Sequence, residues 1–106
     1  MNERAMEEIK NEVASNKVLI YMKGTPDMPM CRFSARAVGI LSGLSVPFTG
    51  VNVLDDAEKW QAVKLYSDWP TIPQIFVGGE FIGGGDQLVE LSESGKLKEL
   101  VAAAMG

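Results

Sequence analysis

The sequence contains no histidine and only one cysteine among its 106 residues. Without histidine there is no Ser-His-Asp triad, no Cys-His nucleophile pair and no imidazole general base. One cysteine excludes an internal disulfide, and with it a stapled secreted scaffold or a Cys-x-x-Cys dithiol. A structural zinc site needs four Cys or His ligands, which one chain cannot supply here. No apolar run approaches the roughly 18 residues that cross a bilayer, so no membrane association is expected. Basic residues are scarce, 10 against 14 acidic ones, giving a net charge of −4. Nucleic-acid binders usually show a basic surplus, so no nucleic-acid partner is expected. The opening Met-Asn-Glu-Arg-Ala-Met-Glu-Glu is acidic and lacks a long apolar stretch. It reads as neither a secretory signal nor an uncleaved transit peptide.

What is present suits one folded unit. At about 100–150 residues per domain, residues 1–106 make a single domain. A hydrophobic fraction of 46% provides one modest core and argues against disorder.

Periodicity then gives the order of elements. Ala5, Ile9 and Val13 recur at helical spacing, and Ser15-Asn16-Lys17 ends that helix, with Asn16 suited to a left-handed cap. Val18 to Met22 is a continuous apolar run, as expected of a strand buried on both faces. Lys23 to Met30, with one glycine and two prolines, reads as a loop without regular structure. Phe33, Ala37, Ile40 and Leu41 predict a helix from near Cys31 to Ser42-Gly43. Pro47 to Val53 reads as a strand. Asp55 or Asp56 can cap the next helix, which carries Trp60, Val63 and Tyr66 on one side. Trp69 to Pro73 is a proline-bracketed turn. Gln74 to Val77 and Glu80 to Ile82 form a hairpin about Gly78-Gly79. Asp86 is a candidate N-cap for a helix carrying Leu88, Val89 and Leu91. Ser94-Gly95 breaks it, and Leu97, Leu100, Val101 and Ala104 form a last helix. The order α-β-α-β-α-β-β-α-α predicts an α/β fold, with a parallel first pair of strands, an antiparallel last pair and helices on both faces.

Cys31 stands where a buried strand's loop meets a helix, the place where open α/β sheets bind ligands. Free N–H groups and the helix dipole there favour an anion and lower a thiol's pKa. Lys23 and Arg32 push the same way. A lone cysteine is ordinarily a small buried hydrophobe. Here the apolar stripe starts only at Phe33, so a reactive thiol is the better reading. Thr71-Ile72-Pro73 precedes a strand. A cis proline there presents the backbone of Ile72 to an extended ligand, the alternative being a plain turn. Gly83-Gly84-Gly85-Asp86 permits close backbone approach, and the helix start after it can hold a carboxylate, the alternative being a simple cap.

Lys23-Gly-Thr-Pro-Asp-Met-Pro-Met-Cys31-Arg-Phe-Ser34, Trp69-Pro-Thr-Ile-Pro73-Gln and Gly83-Gly-Gly-Asp86 together resemble the monothiol glutaredoxins. The likeness runs from about Ile9 to Leu100. It implies a thioredoxin fold with a mixed four-stranded sheet, which agrees with the order derived above. It also implies glutathione binding, with the tripeptide's sulfur brought to Cys31. Lys23 and Lys64 would hold the glycine carboxylate, Ile72 before Pro73 would pair with the peptide backbone, and Gly85 and Asp86 would receive the γ-glutamyl end.

Three positions depart from the family pattern. The signature is Cys-Gly-Phe-Ser, and this chain has Arg32 for its glycine. Trp60 stands where the family often has arginine. Gly85 stands where many members carry a second cysteine.

The family's best-known role is to hold and pass on a [2Fe–2S] cluster. Such a cluster needs four thiolates. Two copies of Cys31 and two glutathiones would supply them, giving a cluster-bridged homodimer from an apo monomer, with iron–sulfur proteins as acceptors. The alternative activity is glutathione-dependent thiol–disulfide exchange with Cys31 as nucleophile. A third reading is a redox-inert adaptor. A free thiol without disulfides suits a reducing compartment: a bacterial cytoplasm, or an organelle matrix after removal of a transit peptide.

Overall fold

The apolar run at residues 18–22 explains how the layers are arranged. It forms β1 (Val18–Met22), buried at all five positions. Alternate residues of a strand face opposite sides, so Val18, Ile20 and Met22 join one core and Leu19 and Tyr21 the other. The computed structural model describes residues 3–106; Met1 and Asn2 of the acidic N-terminal segment lie outside the described residues.

The other elements are α1 (Glu3–Ser15), α2 (Arg32–Ser42), β2 (Thr49–Asn52), α3 (Ala57–Ser67), β3 (Gln74–Val77), β4 (Glu80–Gly83), α4 (Gly85–Ser94) and α5 (Lys96–Met105). A 3-10 turn, Val53–Asp55, enters α3 where a longer second strand was expected. The sheet order is β2-β1-β3-β4. β1 runs parallel to β2 and antiparallel to β3, and β3 pairs antiparallel with β4. The hairpin turn is Gly78-Gly79, both at positive φ, as a two-residue turn of this twist requires. Helices α2, α4 and α5 cover one face of the sheet, and α1 and α3 the other.

Three local expectations change, and one choice left open is decided. Asn16 is not left-handed; it ends α1 by donating from Nδ2 to the Glu12 carbonyl at 2.8 Å. Asp86 is not a cap. Gly84 holds that place, and the Gln87 side chain reaches back to accept the Gly84 N–H at 3.0 Å. Of the two aspartates before α3, Asp56 is the cap, accepting from the Lys59 amide at 3.0 Å. In α2 the buried face is Ser34, Ala37, Val38 and Leu41, while Phe33 is exposed.

Lys59 is nearly buried, a placement that periodicity does not reveal. Its ammonium reaches Glu12 at 2.6 Å and Glu8 at 3.1 Å, and the Tyr21 hydroxyl donates to Glu12 at 2.7 Å. Burial pushes the Lys59 ammonium down, but the two carboxylates outweigh it and hold it above the ordinary lysine value. This network ties α3 to α1 and β1, and so sets where Trp60 and Lys64 stand.

Candidate functional site

The loop before the cysteine is a tight, hydrogen-bonded turn rather than an irregular strap. Thr25 and Met28 exchange backbone hydrogen bonds at 3.0 and 3.2 Å, and the Met30 N–H donates to the Lys23 carbonyl at 2.9 Å. Gly24 allows this by adopting φ +90, and its N–H donates to Asn52 Oδ1 at 2.9 Å. The same oxygen accepts the Leu54 N–H at 3.0 Å. One side chain at the end of β2 therefore anchors both the loop and the 3-10 turn.

That loop delivers Cys31 to the N-cap of α2, in extended conformation and half-buried. Partial burial pushes its thiol up. The amides of Ser34 and Phe33, the Lys23 ammonium and the Ser34 hydroxyl together outweigh that and hold it below the ordinary thiol value. Ser34 is fully buried, and its hydroxyl also accepts the Lys23 N–H at 3.1 Å. Ser34→Ala is expected to leave that amide unsatisfied, at about 1–2 kcal/mol. It should also raise the midpoint of the alkylation-rate profile of Cys31 against pH. An unshifted profile would show that the hydroxyl does not act on the sulfur.

Beside the thiol lies a groove of about 410 Å³. Lys23, Lys64, Ile72, Pro73, Gly85 and Asp86 all line it; Cys31 does not, although Phe33, two residues on, does. In its lining the Lys23 and Lys64 ammonium groups lie 5.3 and 5.6 Å from the Trp60 ring centroid. Trp60 thus holds two cations by their attraction to its π face. Among the described residues neither lysine has a carboxylate partner. The Ile72–Pro73 bond is cis. Gln74, fully buried, donates from Nε2 to the carbonyls of Trp69 at 2.9 Å and Thr71 at 3.2 Å, tying down the turn before the cis bond.

Also in the lining, Asp86 Oδ1 accepts from Arg36 Nη2 at 3.0 Å. A Cβ at Gly85 would meet Arg36 Nη2 at 3.5 Å and Pro73 Cγ at 3.8 Å, both ordinary contacts. The position therefore accepts a side chain, and the absence of a second cysteine there is a chemical difference rather than a steric one.

Sequence reasoning missed Arg36 and Asn52, and gave no role to Ser34 and Gln74 although both stand in its motifs. The available signals were slight: a basic residue within apolar α2, and a glutamine opening an otherwise apolar strand. Among the described residues no cluster of three or more His, Cys, Asp or Glu side chains could hold a metal ion. None of the helices is long and apolar enough to cross a membrane, again among the described residues.

A mixed sheet between two helical layers, with one thiol at a loop-to-helix junction beside a cationic groove, defines a single-thiol protein of the thioredoxin fold. Residues 18–82 match the glutaredoxin family model. The chain is 48% identical over 105 residues to a cyanobacterial protein named uncharacterized monothiol glutaredoxin ycf64-like, from Synechocystis sp., covering 99% of this chain and 98% of that one. It is 50% identical over 93 residues to the chloroplastic monothiol glutaredoxin-S14 of Arabidopsis thaliana, covering 88% of this chain but only 54% of that protein. The solution structure of reduced poplar apo GrxS14 superposes with a TM-score of 0.84 at 46% identity, over 93% of this chain and 91% of that one. The chain belongs to the glutaredoxin family, in its monothiol branch.

Proposed function

We propose that this protein binds glutathione in the groove and, as a pair of chains, carries a [2Fe–2S] cluster as cargo. The observation behind the glutathione reading is the groove's charged lining: two ammonium groups on Trp60 without a carboxylate partner among the described residues, and Asp86 in the first turn of α4. Lys23 and Lys64 would take the glycine carboxylate, and Ile72 before Pro73 would pair with the extended peptide. Gly85 and Asp86 would receive the γ-glutamyl end. The tripeptide's sulfur would then face Cys31.

The donor set fits a shared cluster. One chain supplies one thiolate, half-exposed and with its pKa lowered, against the four that a [2Fe–2S] cluster requires. A second copy and two glutathiones complete the count. Because glutathione is not covalently fixed, the cargo can be released to an acceptor iron–sulfur protein. Two relatives are named for mitochondria and chloroplasts and one comes from a cyanobacterium. This suits a reducing bacterial cytoplasm or organelle matrix.

The test is anaerobic reconstitution with iron, sulfide and glutathione. Visible [2Fe–2S] absorption and a glutathione-dependent dimer are expected. A colourless monomer that readily reduces a glutathionylated protein would instead favour disulfide exchange, the reading supported by the lowered thiol pKa. In that reaction Cys31 thiolate attacks the glutathione sulfur of the mixed disulfide, and the protein thiolate leaves. A second glutathione thiolate then attacks the Cys31–glutathione disulfide, freeing Cys31 and forming oxidised glutathione.

A further inference from the structure

We infer that Arg36 sets the specificity of the groove: paired with Asp86, it recognises an α-amino-acid end, the guanidinium taking the α-carboxylate and Asp86 the α-ammonium. This rests on the glutathione reading above, and it adds a residue from α2 that none of the sequence motifs contains.

Two charged clusters in the groove lining differ in chemistry. The Lys23–Trp60–Lys64 cluster carries positive charge only, so it suits any carboxylate. The other holds a cation and an anion 3.0 Å apart, Arg36 Nη2 on Asp86 Oδ1. An α-amino acid presents the mirror of that pair, an anion and a cation on one carbon.

The guanidinium has five N–H donors, and the hydrogen bond to Asp86 uses one of them. Its position is held from a second side, with Arg36 Cζ 5.9 Å from the Phe33 ring centroid. Gly85 lies against it, 3.5 Å separating the place of a Cβ from Arg36 Nη2. A carboxylate at the start of α4 would therefore meet the free amides of the first helical turn and the guanidinium together.

The pair is not a structural staple. The side chains are 45% and 84% exposed, and exposed pairs contribute little to stability. Exposure leaves both reachable by a ligand.

The test is calorimetric titration, under reducing conditions, of three ligands: glutathione, 4-aminobutyryl-cysteinylglycine (no α-carboxylate) and glutaryl-cysteinylglycine (no α-ammonium). The wild-type protein is expected to bind the ligand lacking the α-carboxylate about tenfold more weakly than glutathione, the scale of one charge-assisted hydrogen bond. Arg36→Ala should bind glutathione about tenfold more weakly and discriminate between those two ligands by less than about twofold, with Arg36→Lys restoring part of the discrimination. Asp86→Asn should lose the preference against the ligand lacking the α-ammonium. A tenfold discrimination retained in Arg36→Ala would overturn the assignment of Arg36 while leaving glutathione binding intact. Absence of glutathione binding by the wild-type protein would overturn the underlying reading as well.

Discussion

Cys31→Ser is expected to abolish function while leaving the fold untouched. Cluster ligation and disulfide exchange would both run through one thiol, since there is no histidine and no second cysteine. A serine hydroxyl is neither a cluster ligand nor a nucleophile toward a disulfide at neutral pH. Thiol exchange should fall by at least about a thousandfold, to the background of glutathione alone, and reconstitution should give no visible absorption. Stability should hardly move. Cys31 sits half-exposed at the helix start and belongs to neither core. Its replacement should stay within about 0.5 kcal/mol, or roughly 3 °C in the melting temperature. Retained cluster binding would show that the ligand lies elsewhere. The wild-type thiol carries its own pH signature. Its folded pKa is depressed, so thiolate formation favours the folded state above the unfolded thiol's pKa, and that contribution is lost as pH falls through the folded value.

Gly24→Ala should do the most damage of any single added methyl. The residue holds φ +90, outside the reach of L side chains without strain. A Cβ there would lie 2.5 Å from the Met28 carbonyl oxygen and 2.6 Å from the Met30 nitrogen, both backbone atoms. Nothing flexible can yield, so the turn itself must open. The expected loss is about 2–4 kcal/mol, or roughly 10–25 °C in melting temperature for a chain of this size. The damage should reach the thiol, because the Met30 N–H bonded to the Lys23 carbonyl is the last tie before Cys31. Its alkylation profile should move toward that of an ordinary cysteine. Gly39 serves as the control. It lies on an exposed part of α2 with nothing within 4 Å of a Cβ, so Gly39→Ala should be neutral or stabilising by about 0.5–1 kcal/mol. Equal melting temperatures for the two variants would refute the steric account of the loop.

Much of this architecture was legible because it is written in local pattern. Five consecutive apolar residues at 18–22 mark a strand covered on both sides, and β1 is buried throughout. Gly78-Gly79 between short apolar runs marks the hairpin, and both glycines adopt the positive φ that such a turn needs. The apolar spacing in α1 and α2 predicted which helices exist, although not always which residue faces inward. Phe33 continues the stripe of α2 on paper, yet it points out and Ser34 points in. Ser34 has a specific partner waiting, the Lys23 N–H, while Phe33 lies at the groove. Leu100 likewise fits the pattern of α5 but stays exposed beside buried Leu97 and Val101.

The groove was harder to read, since its polar ties join residues far apart in the chain. Gly24 bonds Asn52 across 28 positions, Lys59 reaches Glu12 across 47, and Arg36 meets Asp86 across 50. No periodicity encodes such pairs, because each depends on how two elements dock. The cap of α4 shows the same limit: Asp86 has a good capping side chain, but Gln87 folds back on Gly84 and leaves Asp86 to Arg36.

The sequence by itself determined that this protein has a single thiol, placed where a strand's loop meets a helix. It also determined that any four-thiolate chemistry must draw on other molecules. Composition and local spacing suffice for that, since counting ligands needs no coordinates. Only the tertiary structure decided what the thiol feels and what lies beside it: buried Ser34 under the Lys23 amide, two lysines on one indole, and the Arg36–Asp86 pair in the groove lining. Those depend on packing between separate elements, where hydrogen bonds and charges a few ångströms long join segments the chain keeps tens of residues apart.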